Sequence, residues 1–259
     1  YFLIYNFIMG LMDILKGLTN HSDEIDLKVL PSQGLFYKKD FTLKIKKASI
    51  EDIKEYETNI SNSLYSMITE IKNIVMKNTI LSDNYTYLDI KSVDIIYLFF
   101  EIVKMTNNSP INISYIDNIG NINELEISPD TYNYFDFSKY MKYYNEDDYA
   151  FIIDGYKFSP PSFGVEDSLT NFLISKSEEE ELYNSYSYDF RFFLGMKDKL
   201  SFDEIDNLII IFNQDIKQGE QLDIKRIVSK FEPLASFTLK KDGKVVDIQS
   251  KLDLINIWK

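Results

Sequence analysis

Hydrophobic residues recur along the chain with two periods, and the switches between them predict its elements. From Ile50 the apolar positions Ile50, Ile53, Ile60, Leu64, Met67, Ile71 and Ile74 follow at helical steps, with a slip near Thr58-Asn59, which predicts one long helix or two. Ser49 followed by Asp52 marks the start. A helix beginning near Ser92 is apolar almost all round, from Val93 through Val103, as expected of a buried element. Period two is read at Ile25, Leu27 and Val29, again at Phe41, Leu43 and Ile45, and at Ile111, Ile113 and Tyr115 followed by Ile122, Leu125 and Ile127. The first two segments predict strands around the break Pro31-Ser32-Gln33-Gly34, and the others a hairpin turning at Asp117 to Asn121 that packs near the buried helix.

The second half repeats this alternation. Ala150 to Phe158 predicts a hairpin with Asp154-Gly155 at its turn, leading through Pro160-Pro161-Ser162-Phe163-Gly164 into a helix over Glu166 to Tyr183. Ser201-Phe202-Asp203-Glu204 is a capping box before Ile205, Leu208, Ile209 and Phe212. Asp223 to Phe231 predicts a short helix ended by Pro233, and Ser236 to Ile248 a hairpin closed by Asp242-Gly243. Helices and hairpins are interspersed without strand–helix–strand phasing, so the expected class is α+β, as one composite domain or two lobes. The expected divisions are an amphipathic N-terminal extension over 1–23, a lobe over 24–145 and a lobe over 146–259.

The ends add little. Tyr1 to Met12 is apolar except for Asn6 and Gly10, too short to span a bilayer and without the basic flank of a secretory leader. No stable membrane span is expected. Residues 1 to 8 are open to a second reading, as upstream translation ahead of Met9. Leu11, Ile14, Leu15 and Leu18 then form an amphipathic stripe that docks either on the chain's own body or on a partner.

Composition narrows the chemistry. The 259 residues carry 41 acidic and 28 basic side chains, a net charge of −13, which disfavours nucleic acid as a main partner. Nearly all of the excess lies in the middle, where residues 51–200 hold 26 acidic and 12 basic side chains. The absence of cysteine removes disulfides, thiolate metal sites and cysteine nucleophiles. The single histidine, His21, sits among Thr19, Asn20 and Ser22 and reads as a surface residue. Phosphate-binding, dinucleotide-binding and serine-hydrolase glycine motifs do not occur. Glu178 to Glu181 would spread around a helix as a solvated face. Asp117, Asn118, Asn121, Asn123 and Glu124 miss the calcium-loop spacing and read as a turn, and Asp203, Glu204 and Asp206 read as helix capping rather than a metal site. No catalytic residue, cofactor or metal is expected. The 19 tyrosines and 19 phenylalanines, with the abundance of Ile, Asn and Lys, carry the codon bias of an AT-rich genome. Aromatic richness alone is therefore no sign of a binding surface.

Two segments together carry a resemblance. Leu30-Pro31-Ser32-Gln33-Gly34-Leu35-Phe36-Tyr37, then the basic strand Phe41 to Lys47 and the helix start Ala48-Ser49-Ile50-Glu51-Asp52, resembles the opening of tailed-bacteriophage baseplate proteins, the T-even-type baseplate hub assembly proteins. The buried helix with its leading Asp94, the hairpin after it, and Phe158 to Glu166 follow in the order of that family, so the likeness spans about residues 25 to 255. Some relatives carry a cysteine-rich, zinc-knuckle-like hairpin where this chain has Ile111 to Ile127. Without cysteine the hairpin is held by its own apolar pairs.

The residues of the first motif read as a structural turn: Pro31 fixes φ and ends the strand, Gly34 permits positive φ, and Phe36 and Tyr37 fold back on the apolar face. Leu30, Pro31, Ser32, Gly34 and Tyr37 form this turn, and Pro160, Pro161 and Gly164 the second. The resemblance implies a non-enzymatic morphogenesis protein whose partners are other phage tail and baseplate proteins. It would work in the host cytoplasm during assembly, with retention in the virion baseplate left open. Tyr132, Tyr134, Phe135, Tyr140 and Tyr143, in the acidic segment 132–149, are the candidate interface residues, with internal packing as their other reading. A soluble regulatory or binding domain of a mobile element is the alternative from another class, and a carboxylate-dependent hydrolase a third.

Overall fold

The computed structural model describes residues 24–60, 64–117, 119–175, 189–193, 199–214, 218–231, 238–246, 254 and 257–258. The extension 1–23 with His21, the run Glu178 to Glu181, and Pro233 lie outside them. The fold is α+β, with helices interspersed among small antiparallel sheets.

The first helix begins where the capping chemistry places it. In α1 (Ile50–Asn59) the Ser49 hydroxyl accepts from Asp52 N–H at 3.1 Å, while Asp52 accepts from Ser49 N–H at 2.9 Å. The slip at Thr58-Asn59 is a true end, because α2 (Leu64–Asn78) is a separate helix. It runs directly into β2 (Thr79–Leu81), which pairs with β1 (Leu43–Ile45). The buried helix is α3 (Ser92–Asn107), closed by Asn108 at φ 51°. Next come β3 (Ile111–Ile116) and β4 (Ile122–Ile127), paired from Ile111↔Ile127 to Ile116↔Ile122. Two short strands follow, β5 (Tyr132–Asn133) and β6 (Tyr144–Asn145). β7 (Ala150–Ile153) and β8 (Tyr156–Phe158) form the expected hairpin, with Asp154 and Gly155 both at positive φ. After them come α4 (Phe163–Ser175), α5 (Phe202–Gln214), α6 (Gln218–Phe231), and the hairpin of β9 (Thr238–Lys241) and β10 (Lys244–Val246).

Two expectations need correction. The alternation of Ile25, Leu27 and Val29 is no strand: Leu27–Val29 is a 3₁₀ turn, held by the Asp26 carboxylate accepting from Lys28 N–H at 3.0 Å. Pro31 therefore ends no strand, and among the described residues the ladder contact there is the single bridge Glu24↔Lys44. Helix α4 starts at Phe163 rather than Glu166, and its expected extension to Tyr183 lies outside the described residues; α6 starts at Gln218 rather than Asp223.

Packing crosses the expected boundary between the lobes 24–145 and 146–259. One apolar cluster surrounds α3 (Leu98, Phe99, Phe100, Ile102, Val103), takes in α1, α2 and the β3–β4 hairpin, and recruits Leu239, Val246, Leu254 and Ile257 from the tail. The other runs from Phe137 to Phe231 and recruits Phe36 from the first motif. The tail returns because β9 pairs with β5, and because the Tyr56 hydroxyl donates to Leu254 C=O at 2.7 Å. Phe151 sits amid the second cluster, its ring 5.5 Å from Phe36 and 5.6 Å from Phe231.

Candidate functional site

The first motif, the Asp94 helix and the Pro160-Pro161 turn meet at the N-terminal end of α3. Asp94 lies in the first turn of a helix whose neighbours Val93 and Ile95 are buried, so its carboxylate must find partners inside the protein. It is 0 % exposed. The first motif supplies the partners: Ser32 N–H donates to one carboxylate oxygen at 2.8 Å and the Tyr37 hydroxyl to the other at 2.6 Å. The same hydroxyl accepts from Lys91 N–H at 2.9 Å, which uses one of the helix's otherwise unpaired terminal donors.

The second turn closes the node from the opposite side. Ser92 N–H donates to Pro161 C=O at 2.9 Å, Phe163 N–H to Ile90 C=O at 2.7 Å, and Lys91 and Ser162 form an antiparallel bridge. The Ser162 hydroxyl accepts from Val165 N–H and so caps α4. Lys91, 4 % exposed, reaches the Ser159 hydroxyl at 3.4 Å. Leu30, Pro31, Ser32, Tyr37, Pro160, Pro161 and Gly164 are all buried, whereas Gly34, at φ 70°, is partly so. A Cβ at Gly34 would stand 3.1 Å from both the Cβ and the carbonyl oxygen of Leu27.

Burial dominates the electrostatics of this node. It pushes the Asp94 carboxyl up to about 6, against the opposing pull of its bonds from Tyr37 and Ser32. It takes the Lys91 ammonium down to about 8, with Asp94 and Asp89 acting the other way. The Tyr37 phenol is held well above its ordinary value by burial and then by Asp94. Beyond the node, Glu166 on α4 faces Arg191 at 3.7 Å, and burial raises its carboxyl. Lys72 of α2 lies over the Phe163 ring at 4.5 Å.

The other candidates separate by burial. Tyr132, 2 % exposed, donates to Glu101 at 2.9 Å and packs edge-on against Tyr97, so it is a core residue rather than an interface one. Phe135 and Tyr140 are partly buried against the second cluster, stacked on each other at 5.6 Å. Tyr134 and Tyr143 remain exposed, at 39 % and 37 %. Asp117 is consumed by its own turn, accepting from the N–H groups of Ile119 at 3.0 Å and Asn121 at 2.9 Å, which hold its carboxyl below the usual range. Ser201 and Glu204 form the reciprocal cap expected of them. Among the described residues no group of three or more His, Asp or Glu side chains converges as a metal site would require. No helix among them is long and apolar enough to cross a membrane.

Beside the node the surface opens into a groove of about 990 Å³ between the 24–44 region and Tyr144, Glu146 and Tyr149. Tyr37 lines it, whereas Ser32, Lys91, Asp94 and Ser159 do not and are buried behind it. The hydroxyl of Tyr144 donates to Leu35 C=O, tying the two walls together. Lys91 and Arg191 do not figure in the sequence reading, and Ser159 and Glu166 enter it only as ends of the second turn segment; the available signal was Asp94, a carboxylate between the apolar Val93 and Ile95. No protein-family model, no curated protein and no solved structure matches the chain.

Proposed function

We propose that the chain is a non-enzymatic phage tail morphogenesis protein, similar to a baseplate hub assembly factor, which acts through contacts with other tail and baseplate proteins. The observation that carries this reading is the meeting of the first motif, the Asp94 helix and the Pro160-Pro161 turn around one buried node. The segments on which the resemblance rests are parts of a single structural device, with their polar groups turned inward. Groups so consumed hold a scaffold together, and a scaffold acts through the surfaces it presents.

The test is co-expression of the tagged chain with the tail tube, sheath and baseplate proteins encoded beside it. The expected result is a complex with a baseplate or hub protein that survives size-exclusion chromatography. Recovery of the chain as a monomer free of every one of them would overturn the proposal.

A further inference from the structure

The groove beside the node joins two independent features. The first is charge. In a protein of net charge −13, Lys28, Lys38 and Lys39 line this one groove, are exposed, and hold no ion pair among the described residues. Of the acidic residues that line it, Glu24 is already paired with Lys44 at 2.5 Å, and Asp26 accepts from the Lys28 backbone. A bond from a neutral amide leaves the Asp26 charge in place, so Asp26 and Glu146 remain as opposing charges against the three lysines.

The second feature is backbone conformation. Among the described residues, five other than glycine have positive φ, and Asn108, Asp154 and Asp242 are of the types that tolerate it. The other two, Gln33 at 55° and Tyr149 at 49°, both line the groove, from opposite walls. Backbone held in a sparsely populated region clusters where a binding surface is shaped. The walls are also braced by the Tyr144–Leu35 hydrogen bond, so the groove is preformed.

We propose that this groove receives an extended acidic segment of a protein partner, with Lys28, Lys38 and Lys39 as its charge contacts. The inference rests on the assembly reading only for the partner's being a protein. The net negative charge of the chain as a whole disfavours such a segment, so the local lysines supply discrimination as well as attraction.

The experiment titrates the full chain with a fluorescent oligoglutamate peptide at low and high salt, with oligoglutamine and inorganic polyphosphate as comparisons. The expected result is saturable binding of oligoglutamate alone, weakened by salt, with Kd rising about tenfold or more in the variant Lys28→Glu/Lys38→Glu/Lys39→Glu at unchanged thermal stability. No saturable binding, an unchanged Kd in that variant, or equal binding of polyphosphate would overturn the proposal. The variant is also carried through the tail-protein co-expression. A tail complex that survives the three charge reversals intact removes the groove as the contact while leaving the assembly reading standing. Oligoglutamate binding by a chain that joins no tail protein does the reverse.

Discussion

Replacing Tyr37 by Phe tests whether the node at the head of α3 is the sealed hydrogen-bonded unit its geometry describes. The ring keeps its place, stacked on Phe41 at 4.3 Å between centroids, so almost no apolar contact is lost. What goes is the hydroxyl, which donates to Asp94 at 2.6 Å and accepts from Lys91 N–H at 2.9 Å. A hydrogen bond to a charged group is worth about 1.5–3 kcal/mol, and a buried N–H left without a partner costs about 1–3 kcal/mol. Together they predict a loss of about 2.5–6 kcal/mol, a large share of the roughly 5–15 kcal/mol that hold an ordinary domain folded. Urea unfolding followed by the fluorescence of Trp258, the chain's one tryptophan, would show the midpoint falling with the slope unchanged. Tyr144→Phe is the control: it removes a single hydroxyl bond to Leu35 C=O and predicts a loss of about 1 kcal/mol. A Tyr37→Phe loss below about 1 kcal/mol would mean that water reaches Lys91 N–H and Asp94, and would refute the sealed node.

Asp94→Asn adds a pH signature. Because the Asp94 carboxyl is raised in the folded protein from 3.8 to about 6, the fold holds an extra proton between those values, and the contribution of Asp94 is greatest below pH 4 and is lost as pH rises through 6. That interval corresponds to about 3 kcal/mol, so the penalty for Asp94→Asn should be larger at pH 4 than at pH 7; a penalty that grows with pH would contradict burial as the dominant cause. Gly34→Ala should cost about 2–4 kcal/mol, because φ is 70° and the new Cβ meets Leu27 at 3.1 Å, whereas Gly155→Ala, at φ 83° with nothing within 4 Å, should cost only about 1–2 kcal/mol. Equal melting-temperature drops for the two would remove the close approach to Leu27 as a cause. Tyr132→Ala should cost about 3–5 kcal/mol as a core truncation, while Tyr143→Ala stays within about 0.5 kcal/mol, both read from urea midpoints.

Local chemistry was legible wherever a few neighbouring residues decide it. The turns at Asp117–Asn121, Asp154-Gly155 and Asp242-Gly243, and the caps at Ser49 and Ser201, are fixed by side chains within four positions of each other. The failure at Ile25 to Val29 has the same scale: three alternating apolar residues imitate a strand, but the Asp26 carboxylate offers the backbone a turn instead. Strand β2 escaped notice because its three residues continue the apolar run of α2 without a break. Pairings that span the chain left no local trace. β5 meets β9 about a hundred positions downstream, joined at Asn133 and Thr238 by a 2.8 Å side-chain hydrogen bond.

The first motif shows what kind of information such a resemblance holds. Phe36 and Tyr37 are adjacent, yet Phe36 enters the cluster around Phe151 and Tyr37 the cluster around α3. A turn that places neighbouring side chains in two different cores has to keep one shape, which is why Gly34 sits at positive φ and why Ser32 N–H and the Tyr37 hydroxyl share one buried carboxylate. Asp94 announced its need for partners by being a carboxylate flanked by apolar residues in the first turn of a mostly apolar helix, but Ser32 and Tyr37, 62 and 57 positions away, became identifiable only once the chain had folded. The residues that make the motif recognisable therefore specify how two cores are joined. On the assembly reading proposed above, the choice of partner falls to surface that folding leaves unconsumed; the exposed lysines of the neighbouring groove meet that condition, while the buried Ser32, Tyr37 and Asp94 do not.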